Sequence, residues 1–154
     1  MAKDEKKEIT IKGIAASPGV VHGPSFTFLQ KELEVPTYEI SEKDLSREVS
    51  RLDQAIMETR KQIHSIRVII AEKLGEDEAS IFDAHQLVLE DAALMDATVR
   101  EVKVTNLNVE HCFKEVSNKY IDAFSNINDE YIKERVADIR DVTRRLMGNL
   151  LGHS

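Results

Sequence analysis

The imidazoles and thiols, which most often mark a metal or nucleophile site, are few: five histidines and one cysteine among 154 residues. A di-metal centre inside a helical bundle needs Glu-x-x-His pairs facing inward. No glutamate stands three residues before His22, His64, His85, His111 or His153. Only His111 has a carboxylate one turn later, Glu115, which is too little for a zinc site. Cys112 follows His111 directly, but adjacent helical residues do not face one another, so the two make a poor nucleophile and base. No Gly-x-Ser-x-Gly elbow occurs. The glycines between Gly13 and Pro24 come without a Walker lysine or G-x-G-x-x-G spacing, and read as turns rather than a phosphate cradle. No catalytic residue, metal or cofactor is therefore expected in this chain.

The acids are distributed unevenly. Leu74 to Val99 holds Glu76, Asp77, Glu78, Asp83, Glu90, Asp91 and Asp96, and neither Lys nor Arg. The whole chain nets −7, so the other residues sum to zero and the asymmetry is local. A field of one sign selects a basic partner, whereas the plainer reading is a solvated acidic helix. Ile81, Phe82, His85, Val88 and Leu89 recur at helical spacing in the same stretch, so acids and apolar residues share a short helix. His85 on that apolar stripe reads as a packed or hydrogen-bonded residue. The functional alternative is a surface imidazole among carboxylates that helps to position a partner.

The elements that carry this strip follow from periodicity. Residues 1–8 are charged and expected to fray, and residues 9–40 read as an N-terminal β segment and linker, broken by Gly13, Pro18, Gly19, Gly23 and Pro24. Two short strands cannot form a stable sheet alone, so they look like the edge of a sheet whose other strands lie elsewhere. From Ser41, a capping box with Asp44 precedes a 3.5-residue seam of Leu45, Val49, Leu52, Ile56, Thr59, Ile63, Ile66 and Ile70, which predicts a helix over about 42–73. Gly75 follows where a left-handed cap is favoured. Next come the acidic helix and a helix over about 91–104, joined by a kink. Asn106 to Asn108 forms a turn, with Asn108 as N-cap. Val109, Cys112, Phe113, Val116, Tyr120, Phe124 and Ile127 share one face of the next helix. A last helix from near Asp129 buries Ile132, Val136, Ile139, Val142, Leu146 and Leu150. Short connections imply antiparallel neighbours, so the fold expected is mainly α: helical hairpins in a four-helix-type bundle over 41–151.

A charged fraction of 32% with only three prolines fits a helical protein. Lys and Arg are scattered, which argues against nucleic acid. No apolar run of about 18 residues is present to span a bilayer, and MAKDEKKE lacks the apolar core of a secretory signal. With a single cysteine no internal disulfide forms. These features point to a cytoplasmic protein.

GIAASPGVVHGPSF (Gly13–Phe26), IFDAHQLVLEDAAL (Ile81–Leu94) and DEYIKERVADIRDVTRRLMGNLLG (Asp129–Gly152) together resemble the N-terminal part of Enzyme I, the phosphoenolpyruvate-protein phosphotransferase of the bacterial sugar phosphotransferase system. The blocks occur in the family's order and span nearly the whole chain. The resemblance implies a transferase family in which an α/β phosphohistidine domain, here incomplete and represented by the N-terminal β segment, receives an inserted helical domain that docks the phosphocarrier HPr. By position, that docking surface falls on Glu76, Asp77, Ala79, Ser80, Asp83, Leu87, Val88, Asp91 and Leu94, with Tyr131 and Arg135 from the last helix. The family's phospho-accepting histidine lies in a Gly-Gly-x-x-Ser/Thr-His segment. No histidine here sits in one, so this chain alone is expected to bind and not to catalyse. Mg²⁺ use and dimerisation are implied only for the full-length family member, through its C-terminal part. With no sensory domain ahead of Gly13, the resemblance leans to the sugar branch rather than the nitrogen-regulatory paralogue. The alternative is a stand-alone helical adaptor that binds HPr or another basic protein without phosphoryl transfer. Continuation of the gene into the histidine segment would separate the two.

Overall fold

The computed structural model describes residues 9–14, 18–24 and 33–152. The expected fraying of residues 1–8, the end of the first resembling block (Ser25 and Phe26) and His153 lie outside the described residues. The chain divides into two units, Met1–Lys31 and Glu32–Ser154. In the first, the β segment expected over 9–40 differs from what is found, since residues 9–14 and 18–24 form no strand. Its apolar residues Ile9, Ile11, Ile14, Val20 and Val21 are 79–99% exposed. A strand without a partner has no ladder to satisfy its amides, so alternation in the sequence is not enough.

The second unit is helical: α1 (Leu45–Lys73), α2 (Glu76–Ala79), α3 (Ile81–Leu89), α4 (Ala92–Thr105), α5 (Val109–Ser125) and α6 (Glu130–Leu150). A single turn of 3₁₀ helix at Glu42–Asp44 leads into α1. The expected capping pair is present in altered form, with the Ser41 hydroxyl donating to the Asp44 carboxylate at 2.6 Å rather than accepting the Asp44 backbone amide. Along α1 the buried set is Leu52, Ala55, Thr59 and Ile63, together with Glu48. Arg51 meets the carbonyl of Leu150, whereas Ile63, further along α1, clusters with Val142, earlier in α6. The two helices are therefore antiparallel. Asn149 clasps them, donating to the Thr59 hydroxyl at 2.8 Å and exchanging hydrogen bonds with the Gln62 amide. Phe113, Val102, Leu94 and Leu146 fill the main core between α1, α4, α5 and α6.

Asn106 closes α4 in the left-handed region, at φ 53°. Asn108 stands at the N-cap of α5 as expected, but its side chain caps nothing in that helix. It accepts from the Tyr38 amide at 2.9 Å and donates to the Pro36 carbonyl and to Glu110. Glu48 on α1 takes over the capping and receives the Val109 amide at 2.9 Å. The only β-type pairing of the 9–40 stretch among the described residues is the isolated antiparallel bridge of Glu39 with Leu107.

Arg51 links these parts. It binds both oxygens of Glu48, at 2.8 and 3.0 Å, and forms an ion pair with Glu110. The two carboxylate side chains are only 6% and 3% exposed. Burial pulls the Arg51 guanidinium down, but hydrogen bonds and charges from Glu110 and Glu48 outweigh it and hold it above its ordinary range.

Arg51→Met should cost about 3 kcal/mol in urea unfolding, because it strands two nearly buried carboxylates. Lys61→Met, which removes only the exposed pair with Glu58 at 3.6 Å, should cost less than about 1 kcal/mol. In hydrogen exchange, amides of Ile9–Ile14 and Pro18–Pro24 should exchange near the unfolded rate while those of α4 to α6 are protected. Bundle-like protection there would mean that the segment has found partners.

Candidate protein-docking surface

The acidic stretch folds into three short pieces because its sequence interrupts itself. Gly75 breaks α1 from α2 with φ 120° and ψ 170°, a positive-φ bend rather than the expected left-handed cap. A side chain at Gly75 would be strained by that φ, and its Cβ would stand 3.2 Å from a Glu78 carboxylate oxygen. Ser80 separates α2 from α3, its hydroxyl donating to the Asp77 carbonyl at 2.7 Å. The kink expected between the second and third helices sits at Glu90–Asp91, where the Asp91 carboxylate accepts the Ala93 amide at 2.8 Å and starts α4.

This geometry sorts the expected site residues. Glu76, Asp77, Ser80, Asp83, Leu87 and Asp91 are exposed and Val88 is half-buried. Leu87, at 60% exposure, is the most exposed apolar side chain of α3. Ala79 and Leu94 are 0% and 2% exposed, so Ala79 supports the surface from below and Leu94 contributes no more than the floor of a groove. Leu87, Val88, Asp91 and Leu94 line a groove of about 160 Å³ with Ala84, Tyr120, Phe124, Arg135 and Ile139. Arg135 thus joins the strip from α6. Tyr131 lies on α6, and its side chain is outside the described residues.

Tyr120, Phe124 and Ile139 escaped the sequence-based site because their helical spacing marked them only as core. Burial pushes the Tyr120 hydroxyl above its ordinary range, helped by the Asp91 charge and opposed by Arg100, so it stays a neutral hydrogen-bonding tip on an apolar wall.

A further residue outside the sequence-based site, Arg67, alters the local charge balance. Arg67 of α1 reaches across to the strip, pairing with Asp83 at 2.7 Å and with Glu76 at 3.1 Å. The hydrogen bond and charge of Asp83 hold its guanidinium above the ordinary range. Two of the seven acids, Glu76 and Asp83, are therefore compensated from outside the stretch, which counting along Leu74–Val99 did not show. The available signal was an arginine flanked by the seam residues Ile63, Ile66 and Ile70, on the face to which the next helices must return.

His85 resolves to the packed reading. Its ring meets Phe82 edge-on at 5.5 Å, and Nε2 lies 3.3 Å from Asp138 without the alignment of a hydrogen bond. Cys112 is buried, and burial pushes its thiol above the ordinary range, which disfavours a thiolate. Among the described residues no three His, Cys, Asp or Glu side chains converge as a metal set requires. The acidic strip, with Arg67 bound in it, does not fit Mg²⁺. No described helix is long and apolar enough to cross a membrane.

Residues 12–135 match the family described as PEP-utilising enzyme, N-terminal. The phosphoenolpyruvate-protein phosphotransferase of Bacillus subtilis (strain 168) is 38% identical over 142 residues, covering 92% of this chain and 25% of that protein. The Priestia megaterium protein of the same name is 39% identical over 142 residues, covering 92% and 24%. This chain thus spans about a quarter of the length of these curated relatives. Among solved structures, an NMR solution structure of Enzyme I (nEIt) superposes with TM-score 0.74 at 27% identity, over 79% of this chain and 49% of that one. The N-terminal domain of Enzyme 1 - Nitrogen superposes with TM-score 0.66 at 28% identity, over 76% and 49%. Matched across most of its length, with the helical order found above, the chain belongs to the family of PEP-utilising enzymes, as an N-terminal part of that family.

Proposed function

We propose that this chain is the HPr-docking part of a phosphoenolpyruvate-protein phosphotransferase of the sugar phosphotransferase system, acting in the cytoplasm. One observation carries the reading: Leu87, the most exposed apolar residue of α3, sits one turn from Asp83 and shares its groove with Asp91 and Arg135. An apolar contact ringed by carboxylates suits a small basic protein, with the apolar atoms supplying contact area and the rim charges setting arrival and orientation. A phosphoryl relay needs rapid exchange of partners, which a modest interface with steering charges provides.

The chain's own residues bind and orient HPr on this reading, and the chemistry resides in the remainder of the protein. Phosphoenolpyruvate, Mg²⁺, the phosphorylated histidine and any dimerisation belong there too. Nothing in the described site holds a proton-transfer group in position to serve the reaction: His85 is packed against Phe82 and Asp138. Incubation of the chain with phosphoenolpyruvate and Mg²⁺ should leave it unphosphorylated by mass spectrometry. Stoichiometric phosphohistidine would overturn the division of labour.

Surface plasmon resonance against HPr tests the docking face. Joint charge reversal at Glu76, Asp77 and Asp91 should slow association by roughly tenfold or more at low salt. Reversal at the exposed acids Glu42, just before α1, and Asp53 and Glu58 within it should change it by less than about twofold. Glu48 is unsuitable as such a control because it is buried beneath Arg51. Leu87→Ala should speed dissociation by roughly tenfold with little change in association. Equal effects from the two acidic sets would place the docking face elsewhere.

A further inference from the structure

We propose that Arg67 is a resident competitor for the partner's cations: it occupies Glu76 and Asp83 in the free protein, so that a basic partner must displace it or share those acids. The inference rests on the docking reading above and adds a residue that tunes it. Two facts carry it. Arg67 comes from α1 and is only 26% exposed, whereas the carboxylates it binds are 74% and 54% exposed on α2 and α3. The cation thus sits beneath and the acids face solvent, where an incoming Lys or Arg arrives. The attachment is also unequal, because Asp83 engages Arg67 through both oxygens, at 2.7 and 3.4 Å, whereas Glu76 engages it through one.

Ion pairs whose acids face water are weak and exchange readily. Arg67 therefore leaves the strip open to a partner with a stronger or better-placed cation, while lowering the field that a diffuse positive charge experiences. A partner bearing one well-oriented guanidinium for Asp83 gains over one bearing scattered lysines, since a planar fork replaces a planar fork. Arg67 discriminates among basic proteins in this way, and does not simply attract or repel them.

The test compares Arg67→Gln with Arg60→Gln, an equal charge change at an exposed position of the same helix. In stopped-flow association with HPr at low ionic strength, Arg67→Gln should accelerate binding about threefold over wild type, and Arg60→Gln by clearly less. The difference should vanish by about 1 M salt, where the screening length falls to roughly 3 Å. A readout without HPr uses a cationic nitroxide: amide broadening at residues 76–83 should rise in Arg67→Gln and stay at the wild-type level in Arg60→Gln. Equal acceleration by both variants, or slower association of Arg67→Gln with an otherwise unchanged amide spectrum, would make Arg67 a plain structural staple. If Arg67→Gln perturbs the whole bundle, Arg67→Lys takes its place, since it keeps the charge and lacks the planar fork that engages both oxygens of Asp83. It should give a smaller acceleration of the same sign, and a wild-type rate would overturn the proposal. Wild-type protein that fails to bind HPr would remove the docking reading, and the nitroxide comparison would still decide whether Arg67 screens the strip.

Discussion

The bundle depends on one guanidinium shared between two nearly buried carboxylates. Glu48 and Glu110 approach the same point from α1 and α5, an arrangement that repels itself unless a cation lies between them. Arg51 supplies it, and the consequences spread through the groups that Glu48 and Glu110 also hold. Glu48 receives the first amide of α5. Glu110 accepts from Asn108, which in turn fixes the backbone of Pro36 and Tyr38. Arg51 itself reaches the carbonyl at the end of α6. Four separate chain segments meet at this end. With α4 and α5 joined here by only Asn106 to Asn108, the hairpin they form projects its far end, with Leu94 and Tyr120, to the groove.

That far end owes its character to interruption. A continuous helix over Leu74–Val99 would spread its acids around a cylinder, as a 3.6-residue period requires. Breaks at Gly75, Ser80 and Asp91 instead fold the stretch into short pieces whose exposed acids share one region, since a single Arg67 side chain touches both Glu76 and Asp83. Asp91 serves twice, capping α4 and lining the groove. Leu94 and Ala79, buried beneath, hold the pieces to the core. The same short helices thus give an apolar floor and a charged rim.

The helices were legible because each repeats its apolar residues over several turns, and the α6 face from Val136 to Leu150 is buried as its spacing implies. Boundaries were legible where a residue type forces them, as at Asn106 with its left-handed backbone. What escaped was everything decided by contacts distant in sequence. Alternation over residues 9–24 promised strands, yet a strand exists only with its partner. Asn108 marked the start of α5, but the hydrogen bond that caps it comes from Glu48, 61 residues earlier in the chain. Counting charges along one segment missed Arg67, because a linear window does not contain the helix packed against it. Carry-over by position from the resembling family likewise brought Ala79 and Leu94 into the surface, although burial depends on the neighbouring helices.

Arg51 and Arg67 carry the same charge on the same helix, and solvent gives them opposite roles. Around Arg51 the carboxylates are withdrawn from water, so each charge is felt at a low effective dielectric and removal of one partner leaves the others stranded. Around Arg67 the carboxylates face water, where a pair at about 4 Å is worth only about 1 kcal/mol and is further weakened by salt. The difference lies in the carboxylates and not in the guanidiniums: those around Arg51 are shut away from solvent, and those around Arg67 stand in it. Added salt should therefore loosen the Arg67 pairs with Glu76 and Asp83 while leaving the Arg51 pairs with Glu48 and Glu110 largely undisturbed.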